Sequence, residues 1–155
     1  MRAELRDPVD HHTLQQLLPL TRAVFRLHES GRDYATELQQ ISRLLGDDVD
    51  QVDVLGAFGS TSADEFAKRL AIDWHVVPTD LSEPELLELL DAVCACRGDE
   101  TLMDYWVRCL SVNTGDDRMS DLIFWPEAYF GAGYDGRELS PAEMLEVALC
   151  KRGME

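Results

Sequence analysis

At 155 residues with 45% apolar side chains, the chain is long enough for one domain, or one domain with a sizeable extension, around a closed core. Thirty Asp and Glu against fourteen Lys and Arg leave a formal charge of −16, which argues against nucleic acid or an anionic membrane as partner and favours a basic one. No apolar run nears the ~20 residues of a membrane helix, and "MRAELRDPVDHH" has no signal-peptide-like stretch, so a cytoplasmic protein is expected.

The acid excess is uneven. Residues 1–79 hold 13 acids and 8 bases, net −5, whereas residues 80–155 hold 17 acids and 6 bases, net −11. A division near "VVPTD", residues 76–80, is expected on these grounds and because Pro78 sits there between two helical patterns. The spacing of apolar residues predicts an all-α chain: a helical N-terminal region, 1–79, of no assigned role, followed by a small four-helix domain, 80–155, whose third helix is short.

In chain order, residues 11–29 read as a helix with Leu14, Leu17, Leu18, Val24, Phe25 and Leu27 as its apolar positions, kinked or started late by Pro19. "SGRD" breaks the pattern, and 34–45 resumes it with Leu38, Ile41, Leu44 and Leu45 on one side and Gly46 as a stop. "DDVDQVD" reads as an acidic separator. Ser62 and Glu65 then fit a capping box opening a helix over 63–71.

The second half is better punctuated. Ser82 and Glu85 form another capping box, with Pro84 harmless in the first turn, and Leu86, Leu89, Leu90 and Val93 fall on one stripe of a helix ending near Cys96. A second helix, about 99–112, turns Leu102, Trp106, Cys109 and Leu110 inward. It leaves Met103 and Val107 apolar on the outer face. The short segment "SDLIFWP", 120–126, follows, then a Gly-rich loop over 127–139, and Ser140, Pro141 and Glu143 open a last helix through about Lys151.

Chemistry-bearing patterns are weak. Cys94-x-Cys96 on a helix would point its sulfurs about 200° apart, unlike a zinc pair, so the four cysteines are expected to be small buried apolar residues. The lone G-x-x-G at 56–59 lacks a phosphate-loop frame, and His11 and His12, facing different ways, are expected in solvent. No catalytic residue, metal or cofactor is expected, and no enzymatic activity. The segment 120–126 is the exception. Leu122 and Ile123 suffice to plug a turn this short, and Phe124 and Trp125 cannot both point inward with them. Paired aromatics beside an acid and a rigidifying proline suit a binding hot spot, offering large area at low entropy cost.

Residues 81–152 resemble the colicin and pyocin nuclease immunity proteins, small acidic inhibitors of DNase bacteriocins. "LSEPELLELLDAVCA" is similar to the family's first helix, "ETLMDYWVRCLSVNT" to its second, "SDLIFWP" to its Ser-Asp-Leu-Ile-Tyr-Tyr-Pro third helix, and "SPAEMLEVAL" to its fourth. The resemblance implies a four-helix fold and tight, non-enzymatic binding to the nuclease domain of a cognate toxin, beside its active site. It carries the family's anchor onto Ser120, Asp121, Phe124, Trp125 and Pro126. It carries the specificity face of helix two onto Glu100, Met103, Asp104, Val107, Arg108 and Ser111.

Three departures stand out. Phe-Trp replaces the paired tyrosines, Arg108 and Ser111 soften the acidic specificity face, and the loop 127–139 and residues 1–79 fall outside the family pattern. The alternative expectation is a general acidic adaptor or DNA mimic that binds basic proteins without regard to identity. Salt separates the two, because purely electrostatic binding is screened and an aromatic hot spot is not.

Overall fold

The computed structural model describes residues 1–153, and the last two residues of the expected C-terminal domain lie outside them. The described chain is all-α, without strands: α1 (Ala3–Arg6), α2 (His11–Glu29), α3 (Ala35–Leu45), α4 (Gln51–Phe58), α5 (Ala63–Leu70), α6 (Glu83–Cys94), α7 (Glu100–Thr114), α8 (Met119–Phe124), α9 (Pro126–Phe130) and α10 (Pro141–Gly153). It divides into two compact units, Val9–Asp73 and the remainder, Met1–Pro8 with Trp74 onward.

In the unit Val9–Asp73, α2 packs on α3 and α5. Asp10 caps α2, its carboxylate accepting from the backbone N–H groups of His12 and Thr13. Leu17, Thr21 and Val24 form the buried stripe, with Leu14, Leu18, Phe25 and Leu27 half-buried at its margins. The helix runs through Pro19 without a break, because the proline and Gln15, whose carbonyl loses its donor, are both on the exposed side. On α3, Leu38 and Ile41 face inward, and Gly46 ends the helix at φ 70°, donating to the Ser42 carbonyl.

The expected acidic separator is instead the start of α4. Asp50 and Asp53 form a reciprocal capping box there, so the acids that read as loop are satisfying helix N–H groups. Ser62 opens α5 by accepting from Glu65 N–H. Phe25, Phe58 and Phe66 meet at ring separations of 5.4 and 5.6 Å, and Arg22 holds Asp64 through two hydrogen bonds of 2.8 and 2.9 Å. Both partners of that pair are more than half exposed, so it adds little stability.

In the other unit, α6 carries the expected stripe of Leu86, Leu89, Leu90 and Val93, all buried, behind a complete Ser82/Glu85 capping box. It packs on α7 and α10. The buried face of α7 is broader than expected: Thr101, Tyr105 and Asn113 join Trp106, Cys109 and Leu110, while Leu102 is half-buried. Asn113 accounts for its amide fully, accepting from Leu81 N–H and donating to the carbonyls of Pro78 and Cys109. The division expected at 79/80 differs from the unit boundary, since residues 1–8 fall with the C-terminal helices. Leu5 is buried, its carbonyl accepts the Trp106 indole N–H at 2.7 Å, and the Arg2 guanidinium grips Glu85 and Asp80. A buried indole needs an acceptor, and α1 supplies it.

The expectation of four buried cysteines is corrected. Only Cys109 is buried, and burial pushes its thiol up to about 11. Cys94 lies at the flank of the α6 stripe, Cys96 sits in the following turn at φ 50°, and Cys150 lies about 200° round α10 from buried Ala148, so all three are exposed. A second correction concerns 127–139, which does not begin as a loop. Pro126 opens α9, its missing N–H costing nothing at the first helical position, so two short helices join at Trp125 where one was expected.

Candidate docking site

The hexamer of α8, "MSDLIF", sorts its side chains by helical spacing. Met119 and Leu122, three apart, are both fully buried and anchor the helix on the unit's core. Ile123, expected beside Leu122 in the plug, is only half-buried; Met119 takes that role. Asp121 and Phe124 share the opposite side, with Ser120 exposed beside them. Phe124 is 43% exposed and Trp125 64%, while Pro126 is half-buried. Trp125 belongs to neither helix. Its N–H donates to the Asp121 carbonyl at 2.7 Å, closing α8, and its own carbonyl accepts from Ala128 and Tyr129, opening α9. The backbone of Trp125 is thereby pinned at the joint of a helix–helix elbow.

On α7, Glu100, Asp104 and Arg108 are exposed, and Met103, Val107 and Ser111 are half-buried. Glu100, Asp104, Val107, Arg108 and Ser111 recur at three- and four-residue spacing and form one outer stripe, opposite Thr101, Tyr105, Trp106 and Cys109. Met103 and Val107, expected outward, are both half-buried, Val107 within the stripe and Met103 at its margin. α7 and α8 are packed neighbours, so the stripe and the elbow belong to one unit.

A polar network beneath the elbow was not anticipated. Arg118, which precedes α8, donates from Nε to Asp121 Oδ2 at 3.3 Å and from its terminal nitrogens to the carbonyls of Ala128, at 2.7 Å, and Tyr129, at 3.4 Å. One guanidinium thus ties the α8 carboxylate to the C-terminal end of α9, where the helix dipole favours a cation. Asp121, one of the expected anchor residues, shares its charge with Arg118 and stays 40% exposed.

Asp116 is 2% exposed and accepts from the Tyr129 hydroxyl at 2.6 Å and from Arg118 N–H at 3.0 Å, with Lys151 Nζ at 3.5 Å. Burial pushes this carboxyl up, but the Tyr129 and Arg118 hydrogen bonds and the Lys151 charge outweigh it and hold it below the ordinary carboxylate range. The same burial, reinforced by Asp116, pushes the Tyr129 phenol well up, so it remains a donor. Arg118 and Lys151 both lie over the Tyr129 ring, at 5.2 and 5.3 Å. The sequence marked Pro126 only as a rigidifying end to the turn; the contacts joining 116, 118, 129 and 151 depend on tertiary folding alone.

Comparison with protein-family models, curated proteins and solved structures found no match to this chain. The site stands on its own geometry. Among the described residues no group of three His, Cys, Asp or Glu side chains is placed to hold a metal ion, and no helix is long and apolar enough to cross a membrane. The unit offers an exposed aromatic pair, an adjoining carboxylate and an outer helical stripe of mixed acid and apolar character.

Proposed function

We propose that this protein is an immunity-type inhibitor that binds and blocks a cognate nuclease toxin in the cytoplasm, without enzymatic activity of its own. The observation that carries the reading is the exposure of Phe124 and Trp125, 43% and 64%, on a helix whose own core is already filled by Met119 and Leu122. Two large rings are left over at a backbone-pinned elbow. Aromatic side chains, with two rotatable bonds each, offer large contact area at low entropy cost on docking. The "SDLIFWP" motif and its resemblance to the immunity family support the same assignment.

The mechanism follows from the charge. A module of net −11 over residues 80–155 attracts the cationic DNA-binding face of a nuclease and raises the encounter rate. Phe124 and Trp125 bury apolar area against the enzyme, Asp121 adds a charge-assisted hydrogen bond, and the α7 stripe with Glu100, Asp104 and Arg108 selects among nucleases. DNA is then excluded by bulk and like charge. Co-expression tests the reading: the protein should rescue cells from the nuclease encoded beside its gene, and the Phe124→Ala/Trp125→Ala pair should not. Rescue by the double variant equal to that of the native protein would remove the elbow from the account.

A further inference from the structure

The chain passes between its two units twice, from Pro8 to Val9 and from Asp73 to Trp74. Both crossings leave Val9–Asp73 from one place. The Asp10 N–H donates to the Ala71 carbonyl at 3.0 Å, and Val9, Ala71 and Ile72 are all buried. Folded, the unit joins its two crossings by a short path through Val9, Asp10, Ala71, Ile72 and Asp73, closed by that hydrogen bond. Unfolded, it is a loop of 65 residues.

Met1–Pro8, on the far side of the first crossing, belongs to the other unit and lies on it as a strap. Leu5 is the buried side chain of this segment, and its carbonyl accepts the Trp106 indole N–H at 2.7 Å. Arg2 reaches Glu85 at 2.6 Å and Asp80 at 2.8 Å. Trp106 is itself buried on the inner side of α7, so lifting the strap takes away the acceptor of a buried donor. That one indole proton therefore reports whether the strap is docked.

We propose that Met1–Pro8 is a clasp that couples the folding of Val9–Asp73 to the seating of α7. Closing a flexible loop of 65 residues, instead of a path of five, lowers the chance that the strap meets its groove by roughly 50-fold, the 3/2 power of the length ratio. The folded unit thus keeps the strap in place. By linkage, the docked strap stabilises the folded unit by the same factor, because it constrains the ends of the unfolded loop. Chain connectivity carries the coupling, which is independent of the nuclease reading. It gives Val9–Asp73, otherwise without a role, a hold on α7 from the side opposite its outer stripe.

Native-state hydrogen exchange on the full chain tests both directions. Leu5→Asp puts a charge at the strap's buried contact and should release the Trp106 indole N–H. It should also raise exchange at the helical amides of Val24 and Ile41 roughly 50-fold, although no residue of Val9–Asp73 has changed. Ile41→Asp, at a fully buried position, should unfold Val9–Asp73 and raise Trp106 N–H exchange by the same factor, while the amides of Leu89 and Leu90 on α6 stay protected. Arg6→Ala, exposed on the strap, should change neither. Unchanged exchange at Val24 and Ile41 with Trp106 released would overturn the coupling, as would unchanged exchange at Trp106 with Val9–Asp73 unfolded. Collapse of α6 and α7 along with the strap in Leu5→Asp, or of both units at once in Ile41→Asp, would make the segment part of one cooperative core and overturn it too.

Discussion

Truncating Trp125 to Ala separates binding from folding more cleanly than any other change in this chain. The side chain is 64% exposed, and of the roughly 250 Å² a tryptophan presents, about 160 Å² is open to a partner. At about 25 cal/mol per Å² its complete burial is worth roughly 4 kcal/mol. Part of that area survives in the alanine and part is offset by ordering at the interface, leaving about 2–3 kcal/mol, or roughly 30- to 150-fold in Kd. Folding should hardly change, within about 0.5 kcal/mol, because the ring covers little of its own core. Calorimetric titration against the cognate nuclease domain measures the first quantity and urea unfolding the second. Unchanged affinity with unchanged stability would refute the hot-spot argument; a large loss of stability would show the ring to be a packing residue.

The interior of the same helix should behave oppositely. Leu122→Ala, at a fully buried position, should cost about 2–5 kcal/mol in urea unfolding and reduce binding only through the loss of folded protein. Tyr129→Phe removes the 2.6 Å donor to buried Asp116 and should cost about 1–3 kcal/mol at neutral pH, measured the same way, with a shallower fall in acid because less carboxylate stabilisation is left to lose. The sign follows from Asp116: a carboxyl held low in the fold stabilises fully above its ordinary value and loses that contribution as pH drops through the lowered one. Glu85, which Arg2 and the Ser82 N–H pull from 4.5 to about 2, should titrate near 2 in the folded protein, its contribution to stability being lost as pH falls between those two values. Arg2→Ala should return it toward 4.5 in a carboxyl NMR titration, and no movement would show that the Arg2 contact does not persist in solution.

Much of the all-α architecture was legible because its caps and stripes are local. Ser82 with Glu85, Ser62 before Glu65, and Gly46 after Leu45 each act within one turn, and the Leu86–Leu89–Leu90–Val93 stripe needs only the helical period. α4 was missed for an equally local reason, since Asp50 and Asp53 have the composition of a loop and the geometry of a cap. The cysteines misled because burial depends on which side of a helix a residue falls. Cys94 and Val93 are adjacent in sequence and lie on different sides of α6.

At the elbow, the outward sense of Phe124 and Trp125 was readable from crowding on a single turn. The residues that hold it were not. Arg118 reaches ten and eleven residues ahead, and Lys151 reaches back thirty-five to Asp116, separations across which no periodicity speaks. The placement of Leu5 beneath the Trp106 indole, 101 residues away, was hidden for the same reason.

The most direct measurement is binding of the full chain to the cognate nuclease domain that the proposal requires, by calorimetry at low salt and again at about 0.5 M, where the Debye length has shrunk to only a few ångströms. The account predicts tight association that slows its on-rate yet survives the salt, and that the Phe124→Ala/Trp125→Ala variant loses under both conditions. Binding abolished by salt, and indifferent to the two rings, would contradict it and mark the protein as a general acidic adaptor.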